Sequence, residues 1–304
     1  MKVAITGGHG LIGSALGRAL AKRGDEIVMV QRLGARHERP AGKPWWSPDE
    51  KLADLSPVSG FDAVVHLGGA PIASRRWNAR VKSDIYASRI YGTTGIMNAL
   101  ASMDAPPRRI IVGSAIGFYG SRGETTLDEN ATPGEGFLAK VTKDWEEAAL
   151  GHPIADSLDV TAARTGLVLA GTGGLLPRLA LLFKTGLGGR LGDGRQFMSW
   201  IDIDDEVDAI IFLLDHPEIH GPVNLTSPNP VTNAEFTTAL ARALHRPAIL
   251  TAPAGAIKAL LGPEMANDLL FASQRVSPTR LLETGFTFTR PSLDASLLSQ
   301  LGGS

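Results

Sequence analysis

The sequence predicts an α/β protein built on a doubly wound parallel sheet, with a smaller mixed α/β region on the substrate side toward its C-terminus. Three observations predict it. An apolar run, Lys2–Thr6, leads into Gly7-x-x-Gly10-x-x-Gly13 and then into a periodic stretch, Leu11–Lys22. Short apolar runs recur between helical stretches at Glu26–Gln31, Phe61–Leu67, Arg108–Gly113 and Ser157–Thr165. That alternation is how parallel sheets are wound. Beyond Gly221 the segments shorten and mix, which marks the smaller region.

The first strand, glycine turn, helix and second strand make half of a mononucleotide-binding unit of the Rossmann type. Gly7 permits the tight exit from the strand, and Gly10 lets backbone approach a pyrophosphate because no Cβ intervenes. Gly13 allows close packing, which leaves the phosphates at the positive end of the helix, beside Leu11 and Ile12. An acidic residue after the second strand would accept from a ribose 2'-hydroxyl. The chain has Arg32 there, with Arg36 and Arg39 behind it. A guanidinium suits a 2'-phosphate, so NADP is preferred and NAD is the alternative.

Residues 33–57 are polar and proline-bearing and read as a weakly structured excursion, in which Trp45 and Trp46 either cover an adenine edge or tuck into the domain. The strand Phe61–Leu67 ends in His66-Leu67-Gly68-Gly69-Ala70, whose small residues let the chain pass close to a cofactor. His66, with no metal-ligand partner at suitable spacing, reads as a residue that ties down a neighbouring loop. Trp77–Met103 reads as a helix weakened at Gly92 and Gly95, and Arg108–Gly113 as the next strand. Ser114, just past that strand, is placed to hydrogen-bond a carbonyl or hydroxyl whose carbon exchanges hydride.

Gly120–Glu135, with Glu124, Asp128 and Glu129, reads as a loop over the site, followed by a helix at Phe137–Leu150. Gly166–Gly174 is a second glycine-rich turn without the context of the first. A short helix, Leu175–Lys184, precedes Arg195, Gln196, Ser199 and Trp200, a set suited to a small polar planar ligand. Asp202, Asp204 and Asp205 read as a turn and cap for a helix at Glu206–Leu214, not as a calcium loop. Short elements follow: a strand at Val223–Leu225, helices at Thr232–Leu244 and Pro263–Ala272, and a closing helical tail. The predicted organisation is a cofactor-binding core over 1–170, a mixed segment over 171–230 contributing to core and cleft, and a small C-terminal domain over 231–304.

Composition narrows the classes. Of 304 residues, 43% are hydrophobic and 20% charged, as in a folded globular chain. The formal net charge of -1 offers no overall pull toward nucleic acid or an anionic membrane. With no cysteine, thiolate nucleophiles, disulfides and cysteine-ligated metals are excluded. No apolar run approaches a membrane span, and the chain opens on a buried strand with no secretory leader, so a cytoplasmic location is expected.

TGGHGLIG, HLGGA, GSAIGFYG and SWIDIDD together resemble the extended short-chain dehydrogenase/reductase superfamily. FLAKVTKDWE, GDGRQFMSWIDIDD and SQRVSPTRLLETGFTFTRPSL are similar to its "epimerase family" branch, cell-division-inhibitor-like proteins with a small C-terminal domain of their own. The resemblance implies an NAD(P)-binding nucleoside-diphosphate-sugar epimerase or oxidoreductase. The cofactor residues it implies are Gly7, Gly10, Leu11, Ile12, Gly13, Arg32, Leu67, Gly68 and Gly69. It places Ser114 at the active-site serine, by its distance before Tyr119-Gly120.

The superfamily's tyrosine, followed four residues later by lysine, is missing. Registering Phe137 at the tyrosine puts Val141 at the lysine; registering Lys143 at the lysine, with Glu147 matching the next glutamate, puts Ala139 at the tyrosine. Neither side chain has a proton to transfer. Ser114, Tyr119 and Lys143 are then the catalytic candidates, with Lys140 beside them. The other reading is a catalytically weak NADP(H)-binding regulator. The helices Trp77–Met103 and Phe137–Leu150 resemble the superfamily's dimer-forming pair, and monomer and homodimer both stay open.

Overall fold

A computed structural model describes residues 1–34, 38–248 and 250–302. The chain forms two units: residues 1–115, 141–164 and 207–223 make the first, and 116–140, 165–206 and 224–304 the second. The division differs from three consecutive segments. Residues 116–140 leave the core early, and 207–223 return to it.

The first unit carries an eight-stranded sheet. Six of its strands are β1 (Lys2–Thr6), β2 (Glu26–Arg32), β3 (Trp45–Ser47), β4 (Leu52–Asp54), β5 (Ala63–His66) and β6 (Arg109–Ala115). Across the sheet the order is Gly221–Leu225, Asp159–Thr165, β6, β5, β1, β2, β3, β4. β2, β1, β5 and β6 run parallel. Parallel strands covered on both faces must be continuously apolar. Val3, Ala4, Ile5, Val64, Val65, Ile110 and Ile111 are accordingly fully buried.

Two helices begin where the sequence implies, α1 at Leu11–Arg23 and α3 at Phe137–Leu150, whereas α2, at Ala79–Ala101, begins two residues after the expected Trp77. α1 stops at Gly24, whose φ of 93° is left-handed and whose amide closes back on Ala21 and Leu20. The two glycines in α2 have a packing cause. A Cβ at Gly92 would lie 3.2 Å from Cε3 of Trp46, and one at Gly95 would lie 3.0–3.1 Å from the Lys51–Leu52 backbone. The helix gives up propensity, about 1 kcal/mol per glycine, and approaches β3 and β4 closely.

Within the stretch read as a weakly structured excursion, residues 45–54 form regular structure. β3 pairs with β2 through Gln31↔Trp45 and Arg32↔Trp46, and β4 turns back antiparallel. Trp45 and Trp46 are buried, at 5% and 1% exposure, which settles them as anchors of the sheet edge. Arg36 lies outside the described residues.

The second unit is built from two-stranded pieces. Leu167–Leu169 pairs with Trp200–Asp202, Phe197–Met198 with Val231–Thr232, and Gly189–Leu191 with Leu250–Ala252. Thr126–Leu127 pairs with Arg275–Val276, so the stretch read as a loop supplies a strand. The core gathers Leu169, Leu176, Phe183, Trp200, Phe236, Leu240, Leu293 and Leu297. The helix at Ile203–Asp215 starts three residues before the expected one. Asp202 caps it by accepting from Asp204 N at 2.9 Å. The aspartates also hold the tail: Asp202 accepts from Ser296 and Gln300, and Asp205 from the amides of Thr289 and Arg290. The segment expected to be one helix at Pro263–Ala272 is an α-turn, Pro263–Ala266, followed by a π-helical turn, Asn267–Phe271. Among the described residues no helix is long and apolar enough to cross a membrane.

Candidate cofactor and active site

The turn between β1 and α1 is shaped for an anion. Gly7 has φ +69°, and a Cβ there would lie 2.8 Å from the Leu67 carbonyl, so only glycine lets the ends of β1 and β5 meet. At Gly13 a Cβ would lie 2.9 Å from Gly7 C and Gly8 Cα, whereas at Gly10 it would meet only Gly7 O, at 3.1 Å. Gly10 is the helix N-cap and provides no side-chain cap, and the first turn holds no acidic residue. The amides of Leu11, Ile12 and Gly13 have no backbone partner among the described residues. Three donors at the positive end of a helix fit a pyrophosphate.

Arg32, exposed at the end of β2, holds its guanidinium 5.7 Å from the Trp46 ring. Arg39 is engaged elsewhere, with Glu50 at 3.0 Å and over Trp45 at 5.0 Å. At the end of β5, Gly68 and Gly69 are demanded by neighbours in the same unit. A Cβ would run into the Trp46 ring in the first case and lie 3.2 Å from the Arg89 guanidinium carbon in the second.

His66 ties strand ends together. Its Nδ1 and Thr6 Oγ1 are 2.6 Å apart, and the same hydroxyl accepts from Gly68 N at 3.2 Å. Complete burial pushes its pKa down to about 4, so the ring is neutral. Arg89 on α2 donates to Ala70 O at 3.0 Å and lies 5.1 Å from the Trp145 ring. Burial lowers its pKa to about 10, and it remains a cation.

The three catalytic candidates are placed very differently. Ser114 is buried near the end of β6 and donates its hydroxyl proton to Glu146 Oε1 at 2.6 Å. Glu146 is gripped by Arg164, from Nε to Oε1 at 2.7 Å and from Nη2 to Oε2 at 2.7 Å. Tyr119 is fully buried, and its hydroxyl donates to Asn224 Oδ1 at 2.7 Å, while Asn224 Nδ2 donates to Ser277 O. Lys143 is exposed. The sequence reading missed Glu146 and Arg164, having matched the exposed Glu147 instead. An amphipathic reading of α3 could have found Glu146, since it shares a face with buried Thr142 and Ala149.

Of the residues proposed around a small ligand, Arg195 is exposed. Gln196 is buried and donates to Leu270 O at 3.2 Å. Trp200 is fully buried with Nε1 on Asn229 O at 3.0 Å, so its indole serves the core of the second unit and not ligand recognition.

Comparison with known proteins agrees with this geometry. Residues 3–226 match the NAD dependent epimerase/dehydratase family, and residues 252–299 match a domain of unknown function. An epimerase family protein of Mycobacterium tuberculosis is 44% identical over 298 residues, covering 97% of this chain and 96% of that protein. The crystal structure of human epimerase family protein SDR39U1 with NADPH superposes with a TM-score of 0.89 at 31% identity, over 100% of both chains. A UDP-glucose 4-epimerase of Thermus thermophilus in complex with NAD shares the fold, at a TM-score of 0.74 and 19% identity over 100% of both chains.

Proposed function

Because the chain belongs to the NAD dependent epimerase/dehydratase family, we propose that it is an NADP(H)-dependent oxidoreductase or epimerase acting on a hydroxyl-bearing carbon of a small molecule. The observation that carries the cofactor is the cradle at the start of α1, with the unpartnered amides of Leu11, Ile12 and Gly13. Arg32 would hold a 2'-phosphate, and the NADPH bound by the human relative supports that choice over NAD. Leu67, Gly68 and Gly69 form the neighbouring wall. Bound nicotinamide supplies the hydride donor or acceptor.

The remaining chemistry falls to the chain's own side chains. Because the Ser114 hydroxyl donates its hydrogen bond to Glu146, its oxygen is left as an acceptor for a substrate hydroxyl. As that hydroxyl is oxidised, its proton passes to Ser114 Oγ while the Ser114 proton passes to the Glu146 carboxylate. Arg164 keeps Glu146 oriented. This relay would take the place of the tyrosine–lysine pair that α3 does not contain.

Two observations favour the regulatory reading: Tyr119 has its proton committed to Asn224, and Lys143 faces solvent. Titration of the purified protein with NADPH and NADH, followed by nicotinamide fluorescence, tests the cofactor reading first. The expected result is tighter NADPH binding that Arg32→Ala reduces about tenfold, the loss of one charge-assisted contact. Equal, weak binding of both nucleotides would remove it. Turnover of an alcohol panel that Ser114→Ala abolishes would support the enzyme; nucleotide binding with no turnover of any panel member would favour the regulator.

A further inference from the structure

Five of the ten large apolar side chains exposed among the described residues gather in two stretches of the second unit. Leu181 and Leu182 lie on the helix Leu176–Lys184, Leu187 in the turn after it, Leu250 on the strand Leu250–Ala252 and Leu260 on the helix Ala254–Leu261. Leu181, Leu187 and Leu260 are 63%, 66% and 74% exposed. The stretches adjoin. Leu187 N donates to Leu182 O at 2.9 Å, Gly189 pairs with Leu250, and the helix Ala254–Leu261, none of whose residues is buried, follows that strand. Leucines gathered at a surface in this way mark a face that meets an apolar partner.

The charges around these leucines are of one sign. No acidic residue occurs between Asp159 and Asp193 or between Glu235 and Glu264. Within those intervals Arg164 is spent on Glu146 and Arg242 on Asp294. Arg178, Lys184, Arg190 and Arg246 are exposed, Lys258 is half-buried, and none of the five forms an ion pair among the described residues. A formal net charge of -1 for the whole chain conceals this cationic face.

We propose that this face docks the protein reversibly on an anionic lipid bilayer, with Leu181, Leu182 and Leu187 among the headgroups and Arg178 and Lys184 on lipid phosphates. Leucines beside unpaired cations, with no acid among them, match a surface that is anionic outside and apolar beneath. Lysine and arginine stems can run along the leucines and still deliver their charge to the phosphates. Stable attachment takes two signals, and both are present on one face. A second copy of the chain would set cation against cation. Nucleic acid would leave the leucines unused, and no Phe or Trp is among the exposed large apolar side chains for bases to stack on. The proposal stands on the second unit alone and does not rest on the cofactor reading.

The test is sedimentation of the full chain with vesicles of phosphatidylcholine, alone or mixed with phosphatidylglycerol. The anionic vesicles should bind at least about tenfold more tightly, and salt at about 0.5 M should remove most of that advantage by shortening the screening length. Lys184→Glu should weaken binding at least about fivefold and Leu187→Ser about tenfold. Leu298→Ser, which alters an exposed leucine one helical turn from Asp294, should leave binding unchanged. Because the chain has no cysteine, a polarity-sensitive dye can be attached through Leu187→Cys or Leu298→Cys, and only the first should shift to the blue on anionic vesicles. Should Leu187→Ser fail to fold, Lys184→Glu and the dye carry the test. The proposal is overturned if the protein does not sediment with anionic vesicles, if it binds both kinds equally, if Lys184→Glu binds as the parent does, or if Leu298→Ser weakens binding as much as Leu187→Ser. A parent that self-associates through Leu187 and ignores vesicles would assign the face to a second copy instead.

Discussion

A methyl group at Gly13 would stand 2.9 Å from two backbone atoms of the glycine turn. The turn would have to open, moving the amides of Leu11, Ile12 and Gly13. Gly13→Ala is expected to weaken NADPH binding at least tenfold, about 1.4 kcal/mol or more, measurable in the fluorescence titration. Two buried titrating residues set pH dependences of opposite sign. His66 has a folded pKa of about 4 against an ordinary 6.5, so between those values the unfolded chain binds more protons and stability falls as pH is lowered. Glu206, fully buried with Thr165 Oγ1 donating to it, is raised to about 8 from 4.5, so stability falls as pH rises through that window. Each contributes a slope of up to about 1.4 kcal/mol per pH unit. The two oppose each other from pH 4.5 to 6.5, and Glu206 acts alone from 6.5 to 8. Denaturant unfolding across pH should show Glu206→Gln removing the fall between pH 6.5 and 8, and His66→Gln leaving Glu206 unopposed so that stability falls with rising pH from 4.5 onward; parallel profiles for parent and variants would contradict both assignments. Arg164→Met should cost about 3–5 kcal/mol, since it strands the buried Glu146 carboxylate.

Elements are held by close approaches that propensity alone opposes. α2 contains Gly92 because Trp46 occupies the place a Cβ would take. Gly92→Ala should therefore destabilise the protein by about 1–3 kcal/mol despite the better helix former. Adding Trp46→Leu should recover part of that loss, and a thermal-unfolding double-mutant cycle measures the coupling. Independent effects would show that Gly92 is not there for Trp46. α3 shows what could and could not be read at this scale. Its bounds, Phe137–Leu150, follow from the amphipathic pattern. Which of two adjacent glutamates faces inward does not, because one residue is about 100° of helix rotation and the phase is set by packing. Packing turns Glu146 to Arg164 and leaves Glu147 exposed. β3 and β4 were illegible for a related reason: strands of three residues carry too little pattern, and pairing with β2 creates them.

The two units are interleaved along the chain, and the core around Trp200 draws on Phe236, Leu240, Leu293 and Leu297 near the C-terminal end. Ending the chain after residue 230 should leave that core open. Trypsin is then expected to cleave within 165–206 at least tenfold faster than in the full chain; equal rates would mean the core closes without the C-terminal helices. The sequence by itself determined the β1–α1–β2 unit, its glycine turn and the family, because those features are local: an apolar strand, a fixed glycine spacing and a helix period are written in consecutive residues. It also showed that α3 lacks the tyrosine–lysine pair. Only the tertiary structure decided that Ser114 meets Glu146 and Arg164, that Tyr119 is bound to Asn224, and that Trp200 is core. Those partners lie 18 to 105 residues apart in the hydrogen-bonded pairs, and no local pattern encodes which distant side chain the packing will bring within reach.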